Sequence, residues 1–153
     1  SAMPQKSMHS PIGDLTITCE NGALVALDWG WARDQSSSDL LDQAKAQLEA
    51  YFDGGRETFD LPLKPAGTDF QRRVWHLMEA IPYGNTKTYG AMAKDLRSTA
   101  GAARAVGMAC GANPIPVIIP CHRVLAASGM GGYSGEGGVE TKVALLRLEG
   151  TLL

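Results

Sequence analysis

Leu15-Thr16-Ile17-Thr18-Cys19 alternates apolar and polar side chains, Asn21-Gly22 accepts positive φ, and Ala23 to Trp29 forms a second apolar run. Together they predict a β-hairpin. Ser36-Ser37-Ser38 then offers helix N-caps, and Leu41, Ala44, Leu48, Tyr51 and Phe52 recur at helical spacing until Gly54-Gly55. Phe59, Leu61 and Leu63 alternate and are expected to form another strand, with Pro65-Ala66-Gly67 as a linker. The first part of the chain reads as a small α+β unit, with no internal repeat or low-complexity segment.

Beyond the linker the periodicity turns helical. Thr68-x-x-Gln71 has the form of a capping box, and Phe70, Val74, Leu77, Met78 and Ile81 make one apolar stripe that ends at Pro82. Tyr89, Met92, Ala93 and Leu96 repeat at i, i+3, i+4 and i+7. After a short turn around Ser98 to Gly101, Ala103, Val106, Gly107 and Cys110 do the same. Two short helices joined by a tight turn suit a helix-turn-helix, although a helical hairpin packed in a core has the same pattern. Gly101, Ala102, Ala105, Ala109 and Gly111 would let the second helix bring its backbone close to a duplex. The expected division is therefore residues 1–67 and 68–153, with Ser1-Ala2 before Met3 reading as a remnant of tag cleavage.

Composition narrows the class. With 153 residues, 44% of them hydrophobic, the chain can build its own core. No stretch approaches the roughly 18 apolar residues of a membrane span, and the N-terminus lacks a basic region followed by an apolar one, so a cytoplasmic protein is expected. The three cysteines, Cys19, Cys110 and Cys121, lack Cys-x-x-Cys spacing, which argues against a disulfide framework and a zinc site. The net charge of −2 conceals an asymmetry: residues 1–67 carry five Lys/Arg and ten Asp/Glu, whereas residues 68–153 carry nine and six. The second part thus has a net charge of +3, which suits a phosphate-bearing partner but is also compatible with ordinary solvated faces.

The chemistry concentrates in Ile119-Pro120-Cys121-His122-Arg123-Val124, where a thiol stands beside a histidine and an arginine after an apolar, extended-looking segment. A cysteine attacks as its thiolate, and nearby cations favour that form. The plain alternative is a core cysteine at a strand end next to a surface His-Arg pair.

These residues do not stand alone. Phe70, Trp75, Ile81-Pro82-Tyr83-Gly84, Thr88-Tyr89, Ala103-Arg104-Ala105-Val106-Gly107, Asn113-Pro114 and Pro120-Cys121-His122-Arg123 follow one another in an order that resembles the O6-alkylguanine-DNA alkyltransferases, from about Thr68 to Gly150. Upstream of Thr68 the resemblance is loose. It implies an α+β protein with a ribonuclease-H-like N-terminal unit and a mostly helical, helix-turn-helix C-terminal domain. The implied activity flips O6-alkylguanine out of duplex DNA and transfers the alkyl group, once and irreversibly, to Cys121. Its partner is double-stranded DNA, with O4-alkylthymine left open as a second substrate, and the protein is expected to be a monomer with no cofactor, metal or membrane.

The resemblance also assigns roles. Cys121 is the acceptor, His122 takes its proton through a water, and Glu149 orients the imidazole. Asn113 bridges this network to the preceding turn. Tyr89 rotates the nucleotide and donates to purine N3, while Arg104 fills the gap left by the flipped base. Tyr133, Ser134 and Gly135 form the loop over the alkylated base, and Arg123 is a structural or phosphate-facing charge. From the residues alone Arg104 could be a solvated helix arginine or a phosphate contact, and Glu149 a surface charge at a helix C-terminus.

Two departures from the family pattern stand out. The Cys110-Gly111-Ala112 segment lacks the arginine that many relatives carry, shifting the expected duplex affinity toward Arg72, Arg73, Lys87, Lys94 and Arg97. Glu136 to Gly138 also lengthens the loop after Ser134 by about two residues. Three other readings remain at this point: a non-catalytic damage-binding relative, which Cys121 argues against, a Cys-His-Glu thiol hydrolase, and a plain helix-turn-helix regulator, which would leave a reactive Cys121 unexplained.

Overall fold

A computed structural model describes residues 3–97 and 102–152. It divides into two compact units, one up to Ala66 and one from Gly67.

The first unit is a three-stranded antiparallel sheet, β1 (Gln5–Met8), β2 (Leu15–Glu20) and β3 (Ala23–Trp29), with helix α1 (Asp39–Phe52). The β2–β3 hairpin turns at Asn21 and Gly22, both at positive φ, as its sequence predicts. Ser38 caps α1, accepting from the Leu41 N–H, and Leu41, Ala44, Leu48, Tyr51 and Phe52 make its buried face. Strand β1 has no sequence signature. It pairs at the edge of β2, and its Ser7 side chain is buried against Thr16 Oγ1 at 2.8 Å. The strand expected over Phe59 to Leu63 reduces to one parallel bridge, Leu24 to Leu63. The backbone bonds there run only from Leu24 N–H to the Pro62 carbonyl and from Lys64 N–H to the Leu24 carbonyl. Pro62 lacks the N–H a longer ladder would need.

The second unit is mostly helical: α2 (Asp69–Glu79), α3 (Tyr89–Asp95), α4 (Ala102–Gly111) and α5 (Val139–Leu148), with two-residue strands β4 (Lys87–Thr88) and β5 (Val124–Leu125). Thr68 and Gln71 form the capping box of α2 reciprocally. Val74, Trp75 and Met78 of α2 are buried, and Trp75 Nε1–H donates to the Ala109 carbonyl at 2.8 Å, fixing α2 against α4. Helices α3 and α4 pack as the helix-turn-helix pair, while the predicted turn from Ser98 to Gly101 lies outside the described residues. On α4, Ala105 and Gly111 face outward, but Ala109 is buried, so the small residues do not all serve one outer face. Among the described residues no helix is long and apolar enough to cross a membrane.

The segment before Cys121 is not extended. Three prolines, Pro114, Pro116 and Pro120, remove ladder donors, and the chain folds into consecutive turns instead. Ile118 N–H reaches the Pro116 carbonyl across Val117 at φ +72°, and Ile119 N–H reaches the Ile115 carbonyl. A β-branched residue at positive φ is a strained conformation, held here by buried neighbours on both sides.

Candidate active site

Cys121 begins a single 3-10 turn, Cys121–Arg123, and the next two residues pair in parallel with β4, Lys87 opposite Val124 and Thr88 opposite Leu125. This short ladder ties the start of α3, and with it Tyr89, to the turn that carries Cys121. Thr88 caps α3 through the Ala91 N–H. Gly131, at φ +71°, packs so close to Tyr89 that a Cβ there would fall 2.9 Å from the phenol oxygen, so this loop position must be glycine.

Tyr89, Arg104, Cys121, Tyr133 and Ser134 line one cavity of about 440 Å³. Arg104 is exposed at its rim, and Cys121 is 5% exposed at its floor. Gly135 follows this lining without contributing to it. Tyr89 and Tyr133 are held as phenols, their pKa values raised chiefly by burial.

Behind the thiol lies the polar network. His122 and Glu149 are buried, with Nε2 and Oε2 2.7 Å apart. Glu149 is the C-cap of α5, and its carboxylate also receives Arg123 Nε–H at 2.8 Å and Nη2–H at 2.9 Å. Arg123 Nη1–H donates to the Ile81 carbonyl at 2.7 Å. The guanidinium is thus a buried structural charge, and a DNA-facing role for Arg123 is corrected: its donors point into the protein. Because Arg123 already neutralises Glu149, the carboxylate holds the imidazole without holding it protonated. Burial pushes the His122 pKa below its usual 6.5 despite the opposing pull of Glu149. The neutral tautomer that donates Nε2–H to Glu149 leaves Nδ1 as an acceptor, and Nδ1 has no hydrogen-bond partner among the described residues.

The thiol differs from the simple sequence expectation. Neither His122 nor Arg123 supplies a free cation to it, and burial pushes its pKa up. Opposing that are the Asn113 side chain, the Lys142 ammonium, and the backbone N–H groups of Cys121 and His122. Cys121 therefore rests as a thiol that needs a base. Asn113 is itself fixed: its Nδ2–H donates to the Ile119 carbonyl at 2.8 Å and its Oδ1 accepts from Ile115 N–H at 3.0 Å.

Lys142 is a buried charge beside the site that the sequence reading missed. It is 0% exposed, and its ammonium donates to the carbonyls of Val124 (2.7 Å), Met130 (2.6 Å) and Gly132 (3.1 Å). It also lies 5.8 Å from the Tyr89 ring centroid. One signal was available: Lys142, Leu145, Leu146 and Glu149 fall at i, i+3, i+4 and i+7, a buried face with a charge at each end.

Of the basic residues expected to compensate for the missing arginine, Arg72 is paired with Asp69 at 2.7 Å and Lys87 with Asp95. Arg73 reaches the Leu96 carbonyl at 3.4 Å.

Comparison with known proteins settles the family. Residues 69–151 match the DNA binding domain of 6-O-methylguanine DNA methyltransferase, and residues 3–65 match its ribonuclease-like domain. This chain belongs to the 6-O-methylguanine DNA methyltransferase family. It is 39% identical to a methylated-DNA--protein-cysteine methyltransferase of Methanosarcina acetivorans, covering 94% of this chain and 96% of that one. A Mycobacterium tuberculosis protein of the same name is 43% identical, covering 94% and 90%. A crystal structure of the M. tuberculosis O6-methylguanine methyltransferase superposes with a TM-score of 0.86 at 40% identity over 99% of this chain and 95% of that one. One of the M. tuberculosis protein in complex with DNA gives 0.85 at 44% identity, over 95% and 91%.

Proposed function

We propose that this chain is a DNA repair protein that rotates an O6-alkylated guanine out of the duplex and moves its alkyl group irreversibly to Cys121. The observation that carries this reading is the arrangement around the cavity. Arg104 stands exposed at the rim, Tyr89, Tyr133 and Ser134 line the wall, Cys121 lies at the floor, and the His122–Glu149 pair is hidden behind it. Extruding a base costs a few kcal/mol, and Arg104 on α4 is placed to fill the space it leaves.

In the reaction the Cys121 proton passes to His122 Nδ1 through a water while the Sγ–C bond forms and the O6–C bond breaks. The guanine leaves as an anion and takes a proton from Tyr89, whose phenol is regained through solvent from His122. In net terms the thiol proton replaces the alkyl group on the base. Ser134 and the backbone beside Tyr133 are placed to hold O6 as charge develops there. The product thioether is stable, so each molecule acts once. The free thiols at Cys19, Cys110 and Cys121 fit a cytoplasmic setting, where thiols stay reduced.

A duplex carrying one radiolabelled O6-methylguanine tests this. Label should pass to the wild-type protein and not to Cys121→Ser. Repeated release of a product without label on the protein would favour the Cys-His-Glu hydrolase reading instead.

A further inference from the structure

The outer face of α4 carries a second feature besides Arg104. Met108 is 71% exposed, one helical turn beyond Arg104, and it lines the same cavity above Cys121. Exposure alone would mean little, but this large apolar side chain also stands at the rim of the cavity, one turn from Arg104. The rest of this face is Ala103, Ala105 and Gly111, all exposed, so Arg104 is its one polar side chain. With Arg104 in the gap left by the base, no other side chain of this face can hydrogen-bond a base edge. What it offers a duplex is a smooth backbone, one cation and one apolar knob at i and i+4.

We propose that Met108 is a positioning residue for the DNA step, an apolar wedge that packs between the extruded nucleotide and the base pair it has left. This deepens the function reading above and rests on it. Apolar side chains, methionine among them, hold distorted duplexes open by filling unstacked steps. The unbranched thioether chain suits a gap whose shape varies with sequence, and another apolar side chain of similar volume would fill most of it. Arg104 would occupy the gap within the duplex, and Met108 its neighbouring wall, so the nucleotide has less room to swing back. The free base has no duplex and would meet Met108 only as part of the cavity lining.

The test compares Met108→Ala and Met108→Leu with wild type on two substrates: a duplex with one O6-methylguanine, and free O6-benzylguanine. Burial of a methionine side chain sets the expected scale. Met108→Ala should lose about tenfold more in rate on the duplex than on the free base, and leave the melting temperature unchanged. Met108→Leu should restore most of the duplex rate. The salt dependence of duplex binding should keep its slope in Met108→Ala, since no phosphate contact is removed. A wild-type duplex rate for Met108→Ala would overturn the proposal, as would equal losses on both substrates, which would make Met108 a pocket residue. Failure of the wild-type protein itself on both substrates would bring down the function reading, and this inference with it.

Discussion

His122 and Glu149 are joined side chain to side chain at 2.7 Å with neither exposed to solvent, and Arg123 binds the same carboxylate through two nitrogens. The glutamate therefore serves two masters: it orients the imidazole and it balances a buried guanidinium. Glu149→Gln should destabilise the protein by about 3 to 5 kcal/mol, because Arg123 is left as a buried cation without a counter-charge. Urea denaturation measures it. Adding Arg123→Met to Glu149→Gln should recover part of the loss, and no recovery would mean that the cost lies elsewhere.

The pH dependence of stability follows from two opposite shifts. His122 has its folded pKa below 6.5, so as pH falls through 6.5 the unfolded chain takes up a proton that the folded chain refuses, and stability drops. Cys121 and Cys110 lie above 9.0, the latter at about 12, so as pH rises past 9.0 the unfolded chain loses protons that the folded chain keeps. Stability again drops. Denaturation midpoints should therefore be flat between about pH 6.5 and 9 and fall on both sides. The acid limb should shrink in His122→Gln; an unchanged limb would place its origin in another group.

Lys142 should prove structural as well as electrostatic. Lys142→Met keeps the stem but removes the donors to three backbone carbonyls, so a loss of about 2 to 4 kcal/mol is expected. The loop bearing Met130 and Gly132 should exchange its amide hydrogens faster, and the reaction with O6-benzylguanine should slow because the Cys121 thiol loses the ammonium that favours its ionisation. Native stability in Lys142→Met would contradict this account.

Much of this was legible in the sequence wherever the signal is local. The Asn21-Gly22 turn, the Ser38 cap and the Thr68/Gln71 box each concern residues within a few positions, and all three form. What was not legible depends on distant partners. Strand β1 exists because β2 offers an edge, and Gln5-Lys6-Ser7-Met8 alone has no reason to extend. The apolar run before Cys121 resembles a strand by hydropathy, but its prolines turn it. Lys142 looks like a surface charge until the carbonyls of Val124, Met130 and Gly132 are brought around it. At the site, the order of motifs pointed to Cys121, His122, Glu149 and Tyr89, while the burial of Arg123 required the fold.

The alkylated protein should be less stable than the free one. Cys121 is buried at the cavity floor with Asn113 acting on the thiol, so an added group both presses on the residues around the sulfur and removes a hydrogen-bonding partner. Each effect is worth about 1 to 3 kcal/mol, which in a chain of this size lowers the melting temperature by several degrees. Asn113 follows α4, so amide exchange there should rise as well, loosening the hold on repaired DNA. Matched melts of free and benzylated protein check it, and an equal or higher melting temperature after benzylation contradicts it.

Cys121 alone among the three thiols is expected to receive the alkyl group. Cys110 lines the same cavity, but burial pushes its thiol up to about 12, and Cys19 lies in β2 of the first unit. The most direct test is intact mass followed by peptide mapping after incubation with excess duplex carrying O6-methylguanine. One methyl per molecule, located at Cys121 and with no further demethylation of DNA once it is bound, is the result expected. Methyl at Cys110 or Cys19, or continued turnover with Cys121 unmodified, would contradict the account.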